Sequence, residues 1–224
     1  MVVVALLLIP SSTFAEPFVD LYVGRSLPQR ANIDHRDPRG RTRIFGANFE
    51  DSLAFGGGFG WWANKFVGVG FDAFSFEPDV SAQRRRFRET DRAEFRDNQE
   101  SLDFRVTVLA LDVIGRYGFL TSADFPNGRA QVYAGAGPGF FITRMRDSTD
   151  LNPPRQSHTD DDVGAHAKTG AKFFVTRNWA IFASYAFTHH APSSKFRDFP
   201  DTEVIRTTLD VHHVGGGISF HFGR

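Results

Sequence analysis

Two histidine pairs, His189-His190 and His212-His213, are the most metal-competent elements of a chain that contains no cysteine. Neutral imidazoles suit zinc or copper, so a divalent ion bridging His190 and His213 is the arrangement they would allow, although a third ligand is not evident. The run Asp160-Asp161-Asp162 would attract a cation, but three adjacent acids lack the spacing of a dedicated calcium loop. The last set is basic. Arg36, Arg39, Arg41 and Arg43, then Arg84, Arg85, Arg86 and Arg88, are interleaved with Asp34, Asp37, Glu89 and Asp91. Guanidinium forks match phosphate geometry, so a polyanion is one ligand for such segments; the alternative is a solvated surface whose charges pair among themselves.

Composition limits what these groups can serve. With 26 Lys+Arg against 26 Asp+Glu the chain carries no net charge, which argues against nucleic acid as the main partner. The absence of cysteine excludes disulfides, thiolate metal sites and cysteine nucleophiles. A length of 224 residues suits one large domain or two small ones. The chain combines 25 Phe with 21 Gly, more glycine than a soluble aromatic core needs. Membrane β-barrels use both, with apolar residues facing lipid and glycines where the wall curves.

Residues 1–15 read as a secretory signal: an apolar run from Val2 to Ile9, then Thr13-Phe14-Ala15 as a small-residue cleavage site. Cleavage after Ala15 would leave 16–224 as a single domain. No other segment approaches the roughly 20 apolar residues of a membrane-spanning helix; the best, Val106 to Leu111, stops at Asp112.

The elements that must position the polar groups are strands. Leu53, Phe55, Phe59 and Trp61 alternate with Ala54, Gly56, Gly58 and Gly60, and Val67, Val69 and Phe71 alternate with Gly68, Gly70 and Asp72. Eight such runs occur, at about 17–29, 51–63, 65–78, 102–118, 129–145, 162–176, 179–191 and 205–222. In the fourth, Leu102, Phe104, Val106 and Val108 are out of phase with Leu109, Leu111 and Val113, which predicts a bulge near Val108. Connections alternate long and charged with short and turn-like, at Asn64, Pro126-Asn127-Gly128 and Arg177-Asn178. The pattern predicts an all-β fold, an eight-stranded antiparallel up-and-down transmembrane β-barrel with its long loops at one end. A soluble barrel would instead put fat inside and charge outside. By phase, Asp20, Asp72, Asp112, Arg116, His166, Lys168 and Lys172 project inward, either as a plug of paired charges or as the lining of a narrow ion path.

Three segments carry a resemblance. Gln131 to Gly139 (QVYAGAGPG), Trp179 to Thr188 (WAIFASYAFT) and His212 to Phe222 (HHVGGGISFHF) are similar to the small eight-stranded outer-membrane β-barrels of the OmpA-type and related porin-like superfamily. The resemblance spans essentially the whole mature chain and implies an outer-membrane location, with loops extracellular and both termini periplasmic. It also implies a closing strand read by the barrel-assembly machinery, although members typically end on the aromatic residue and this chain continues with Gly223-Arg224. Members often carry Glu and Arg at the interior positions held here by Ser184 and Ala186, so a central charge network must be built differently. No peptidoglycan-binding domain of the OmpA kind follows Arg224, so cell-wall anchoring is not expected. The implied protein is a monomer without cofactor, embedded in outer-membrane lipid and lipopolysaccharide, with a structural or surface-interaction role toward lipopolysaccharide or a host surface. A narrow pore for small solutes or ions is the first alternative. A lipid A deacylase-like enzyme is the second: that family sets a serine nucleophile with a histidine base and a glutamate near the outer rim, an arrangement that His190, Ser193 and Glu203 resemble only loosely, since the spacing of His190 and Ser193 departs from the His-x-Ser element and Ser194 replaces the family's asparagine.

Overall fold

The computed structural model describes residues 16–37, 40–47, 49–78, 102–147, 157–198 and 201–222. Eight strands close a barrel: β1 (Glu16–Pro28), β4 (Ser52–Trp62), β5 (Val67–Phe76), β6 (Leu102–Phe119), β7 (Ala130–Asp147), β8 (Ser157–Phe174), β9 (Trp179–His190) and β12 (Leu209–His221). Four more, β2 (Ala31–Asp37), β3 (Gly40–Ala47), β10 (Ser193–Asp198) and β11 (Asp201–Thr207), form a separate sheet in the order β10-β11-β2-β3. Every barrel neighbour is antiparallel, and β1 closes the wall by pairing with both β4 and β12.

Turn chemistry sets one end of the barrel. The Asn64 side chain accepts from the backbone N–H groups of Phe66 and Val67, both at 2.8 Å, which holds the reversal between β4 and β5. Thr176 Oγ1 accepts from Trp179 N at 3.0 Å between β8 and β9, and Gly128 takes a φ of 89° in the turn before β7. The strand ends that lead into the long connections all lie at the other end.

Alternation dictates the two faces of the wall. Outside, Val19, Leu21, Val23, Leu53, Phe55, Val69, Leu111, Val113, Val163, Ile181 and Ile218 are exposed, Leu53 by 70%. Exposed fat on this scale is an error in a watery protein and the requirement of a lipid-facing one. Aromatic pairs ring the turn end: Tyr117 with Phe119, and Trp179 with Phe220, whose ring centroids are 4.9 and 4.8 Å apart.

Two sequence expectations require correction. No bulge occurs at Val108: Leu109↔Phe140 and Val113↔Ala136 keep one register with β7, and Val106 to Gly115 pair without a shift with β5. The phase change has a different cause. Phe104, Val106, Val108 and Ala110 point inward and are buried, packing with Phe49, Phe76, Phe141, Leu209 and Val211. The half of the bore away from the short turns is therefore packed with apolar side chains. The second correction concerns the first and last long connections, which contain strands rather than loops alone. The eighth predicted run is accordingly split: 205–207 belong to β11 of the outer sheet, and the barrel strand begins at Leu209.

The β1–β12 ladder runs from Phe18↔His221 to Pro28↔Val211. Gln29 N then donates to Asp210 O at 2.8 Å, and β2–β11 takes over from Ile33↔Thr207 to Arg36↔Val204. The seam between the first and last barrel strands thus continues into the outer sheet.

Candidate functional site

The bore below the apolar half is crossed by three layers of charge. Nearest the turns, Arg116 on β6 donates Nη2–H to Glu16 Oε2 at 2.6 Å, and the guanidinium lies 4.2 Å over the Trp62 ring. The same carboxylate meets His221 Nδ1 at 2.6 Å and accepts from Asn127 Nδ2 at 3.1 Å. One layer up, Lys172 on β8 donates to both carboxylate oxygens of Asp20, at 2.9 and 3.0 Å, and sits 2.8 Å from Ser219 Oγ. Ser219 in turn donates to Asp20. Phe18 and Phe182 flank this ammonium at 4.5 and 5.4 Å, so its remaining surroundings are ring faces rather than water.

The third layer joins β5, β6 and β8. Lys168 pairs with Asp72 and lies 3.5 Å from Asp112 Oδ2. His166 Nδ1 is 3.0 Å from both oxygens of Asp112. Asp72, Asp112 and His166 converge closely enough to hold a metal ion, but the Lys168 ammonium stands among them as the cation and faces both carboxylates.

The structure therefore brings all seven predicted inward residues into the bore and divides them among these layers. Three residues that sequence reasoning missed, Glu16, Ser219 and His221, complete them. The signal was present: the alternation that turns Asp20 inward also turns Glu16 inward, and His221 and Ser219 share one phase. In all, four carboxylates face three fixed cations, with His166 and His221 each against a carboxylate. Such pairs repay the cost of burial only as far as their remaining hydrogen bonds are satisfied; Ser219, Asn127 and the two histidines supply several of these, while Arg116 Nη1 has no hydrogen-bond partner among the described residues.

Between the third layer and the apolar half lies a cavity of about 50 Å³, lined by Tyr22, Phe74, Phe182, Ser184, Ala186 and His213 among others. Small side chains at 184 and 186 leave this space, and the charge network sits instead on β1, β5, β6 and β8.

Of the candidate metal pair, His213 is engaged at both nitrogens, by Ser26 Oγ at 2.8 Å and Thr188 Oγ1 at 3.1 Å. Phe74 and Phe76 meet its ring edge-on at 5.0 and 4.9 Å, so no lone pair remains to share with an ion. His190 is buried and stacked on Phe141, with centroids 4.1 Å apart and planes 5° from parallel; its nitrogens have no hydrogen-bond partner among the described residues. On the outer wall, His189 pairs with Asp210 at 2.5 Å and His212 with Tyr185 at 2.5 Å. The hydrolytic set is dispersed by register. Ser193 lies opposite Arg206 and Glu203 opposite Phe196, positions that alternation puts on opposite faces of the outer sheet.

The basic segments divide. Arg36 is in β2, and Arg41 and Arg43 are in β3; Arg39, Arg84, Arg85, Arg86 and Arg88 lie outside the described residues, as does the segment 1–15.

A sequence model of the outer membrane protein beta-barrel domain matches residues 1–222. Among solved structures, the outer membrane protein OprG of Pseudomonas aeruginosa superposes with a TM-score of 0.62 at 11% identity, over 94% of this chain and 97% of that one. Neisserial surface protein A gives 0.46 at 13% identity over 89% and 96%. The attachment invasion locus protein Ail of Yersinia pestis gives 0.44 at 13% over 93% and 100%. No curated protein matches the chain. The likeness to OprG is one of fold.

Proposed function

Because the chain belongs to the outer membrane protein beta-barrel domain family, and such a barrel resides in the outer membrane, we propose that it is a closed, non-catalytic barrel with a structural and surface-presenting role. The observation that carries this reading is the stack of three charge layers beneath an apolar cluster, which together occupy the bore among the described residues with paired charges and packed side chains. A sealed wall stabilises the envelope and leaves contact chemistry to the long-loop end. We place that end outside the cell, where it meets lipopolysaccharide or the surface of a host, and both termini in the periplasm. The chain is delivered by a signal cut after Ala15, inserted by the barrel-assembly machinery, and works as a monomer without cofactor.

Planar-bilayer recording of the purified protein tests the reading. The expected trace has no steady single-channel steps; sizeable, reproducible conductance overturns it in favour of a narrow pore, for which the cavity beside Ser184 and Ala186 is the supporting observation. A lipid-modifying role has no comparable support, since Ser193 and Glu203 are on opposite sheet faces. An altered lipid A acyl pattern in cells carrying the protein would restore it.

A further inference from the structure

The outer sheet sorts its charges by face. Residues directly opposite one another across a ladder share a face, and alternation extends that face along each strand. One row reads Arg41–Arg36–Val204–Lys195 and the next Arg43–Asp34–Arg206–Ser193, with Arg197 opposite Thr202 beyond them. This face thus holds six basic positions, Arg36, Arg41, Arg43, Arg206, Lys195 and Arg197, and one acidic position, Asp34. The other face holds four acidic positions, Asp37, Asp198, Asp201 and Glu203, with Ile33, Ile44, Ile205 and Phe196, and His35 as its one basic position.

From this juxtaposition we infer that the basic face of the β10-β11-β2-β3 sheet is a docking surface for a linear polysaccharide bearing sulfate or phosphate groups. The inference deepens the surface-presenting role proposed above and rests on it. Charge complementarity carries it. Four strands at about 4.8 Å spacing make a patch roughly 14 Å wide, and positions two apart along a strand are about 7 Å apart. Each basic position then lies within about one Debye length, ~8 Å at physiological salt, of another. Their fields add over the patch, while the acids that would cancel them are segregated to the reverse side. A neutral chain with randomly mixed surface charge has no such face, and zero net charge conceals it.

The placement favours a glycan in the medium over phosphates of the protein's own membrane. Arg36↔Arg41 is one pair short of the β2–β3 tip, where Asp37↔Gly40 closes the ladder, and Arg197↔Thr202 is one pair short of the β10–β11 tip. These are the parts of the two hairpins farthest along the chain from where they join the barrel, near Gln29 and Ser52 for one and near His190 and Leu209 for the other.

The test uses the full chain in detergent micelles, with heparin as the probe polysaccharide and vesicles containing lipopolysaccharide as a second arm. Arg36→Ser/Arg41→Ser/Lys195→Ser is expected to weaken heparin binding about tenfold, whereas Asp198→Asn/Glu203→Gln on the reverse face leaves it unchanged or tighter. Heat-modifiable gel migration shows that each variant retains its barrel. Equal loss in both variants, or no loss in the basic-face variant, overturns the inference. So does loss confined to lipopolysaccharide vesicles with heparin binding intact, since that outcome assigns the face to membrane phosphates. Wild-type retention that is insensitive to salt overturns it without any variant. Conductance measured on the same preparations separates the two proposals, because a conducting barrel with face-dependent heparin binding rejects the closed lumen alone.

Discussion

Lys172 on β8 and Asp20 on β1, 152 residues apart in the chain, face each other across the bore with the ammonium 2.9 and 3.0 Å from the two carboxylate oxygens. Neither strand is the other's neighbour in the wall, so this contact braces the barrel across its interior rather than along a ladder.

Removing one partner leaves the other charged in a site with side-chain exposures of only 4% and 11%. Lys172→Met and Asp20→Asn are each expected to destabilise the barrel by about 3–5 kcal/mol, and the double variant by much less than the sum. Urea unfolding in lipid vesicles, followed by tryptophan fluorescence, reads the difference. Additive losses would show that the pair is not coupled.

Lys168 fills the place of a cation between Asp72 and Asp112. Truncation to alanine should expose the Asp72–Asp112–His166 cluster to divalent ions: wild type takes up no zinc with saturation in calorimetric titration, and Lys168→Ala gains one site. Identical titrations for the two proteins would show that the cluster has no affinity even when vacated.

His190 and His213 predict opposite responses to the same change. His190→Phe keeps the stack on Phe141 and removes two nitrogens without partners among the described residues, so stability should change by less than about 1 kcal/mol or rise. His213→Phe orphans the buried hydroxyls of Ser26 and Thr188 and should cost about 1–3 kcal/mol. Equilibrium unfolding of both variants in one lipid compares them directly.

Glycines in the wall differ in tolerance. A Cβ on Gly217 would collide with the Leu21 carbonyl, and backbone cannot swing aside; a Cβ on Gly70 would meet Lys168 Nζ at 3.5 Å and Ile114 Cδ1 and Cγ2 at 3.7 and 3.8 Å, all ordinary contacts. Gly217→Ala is expected to lower folded yield in vesicles and cost about 1–3 kcal/mol, while Gly70→Ala stays within about 0.5 kcal/mol of wild type.

Much of this architecture was legible because a period of two leaves little freedom. Once Val67 and Val69 face lipid, Asp72 must face the bore, and the same logic places Lys168 and Lys172. It failed where the rule that fat faces outward was extended too far. Phe104, Val106 and Val108 line the bore, since eight strands leave a lumen that side chains of any kind can fill. The outer sheet was hidden for another reason. Its central ladder pairs Asp34 with Arg206, partners so distant in sequence that no local pattern announces them, and charged residues on both faces of short strands resemble a solvated loop. Glu16 and His221 were missed at strand ends, where alternation is shortest and the eye assigns residues to the termini.

The passage of the β1–β12 ladder into β2–β11 has a consequence for how the molecule closes. The first and last strands are the pair most remote in sequence, and their meeting carries the largest loop-closure cost of any ladder in the wall. Here that final zipper does not stop at the rim: it gains teeth beyond it from two hairpins that flank the junction, and the same extension gathers the basic face from both halves of the chain. A barrel whose last strand has not yet docked therefore lacks the β2–β11 junction and, with it, a complete basic face, so that surface doubles as a report that the wall is shut.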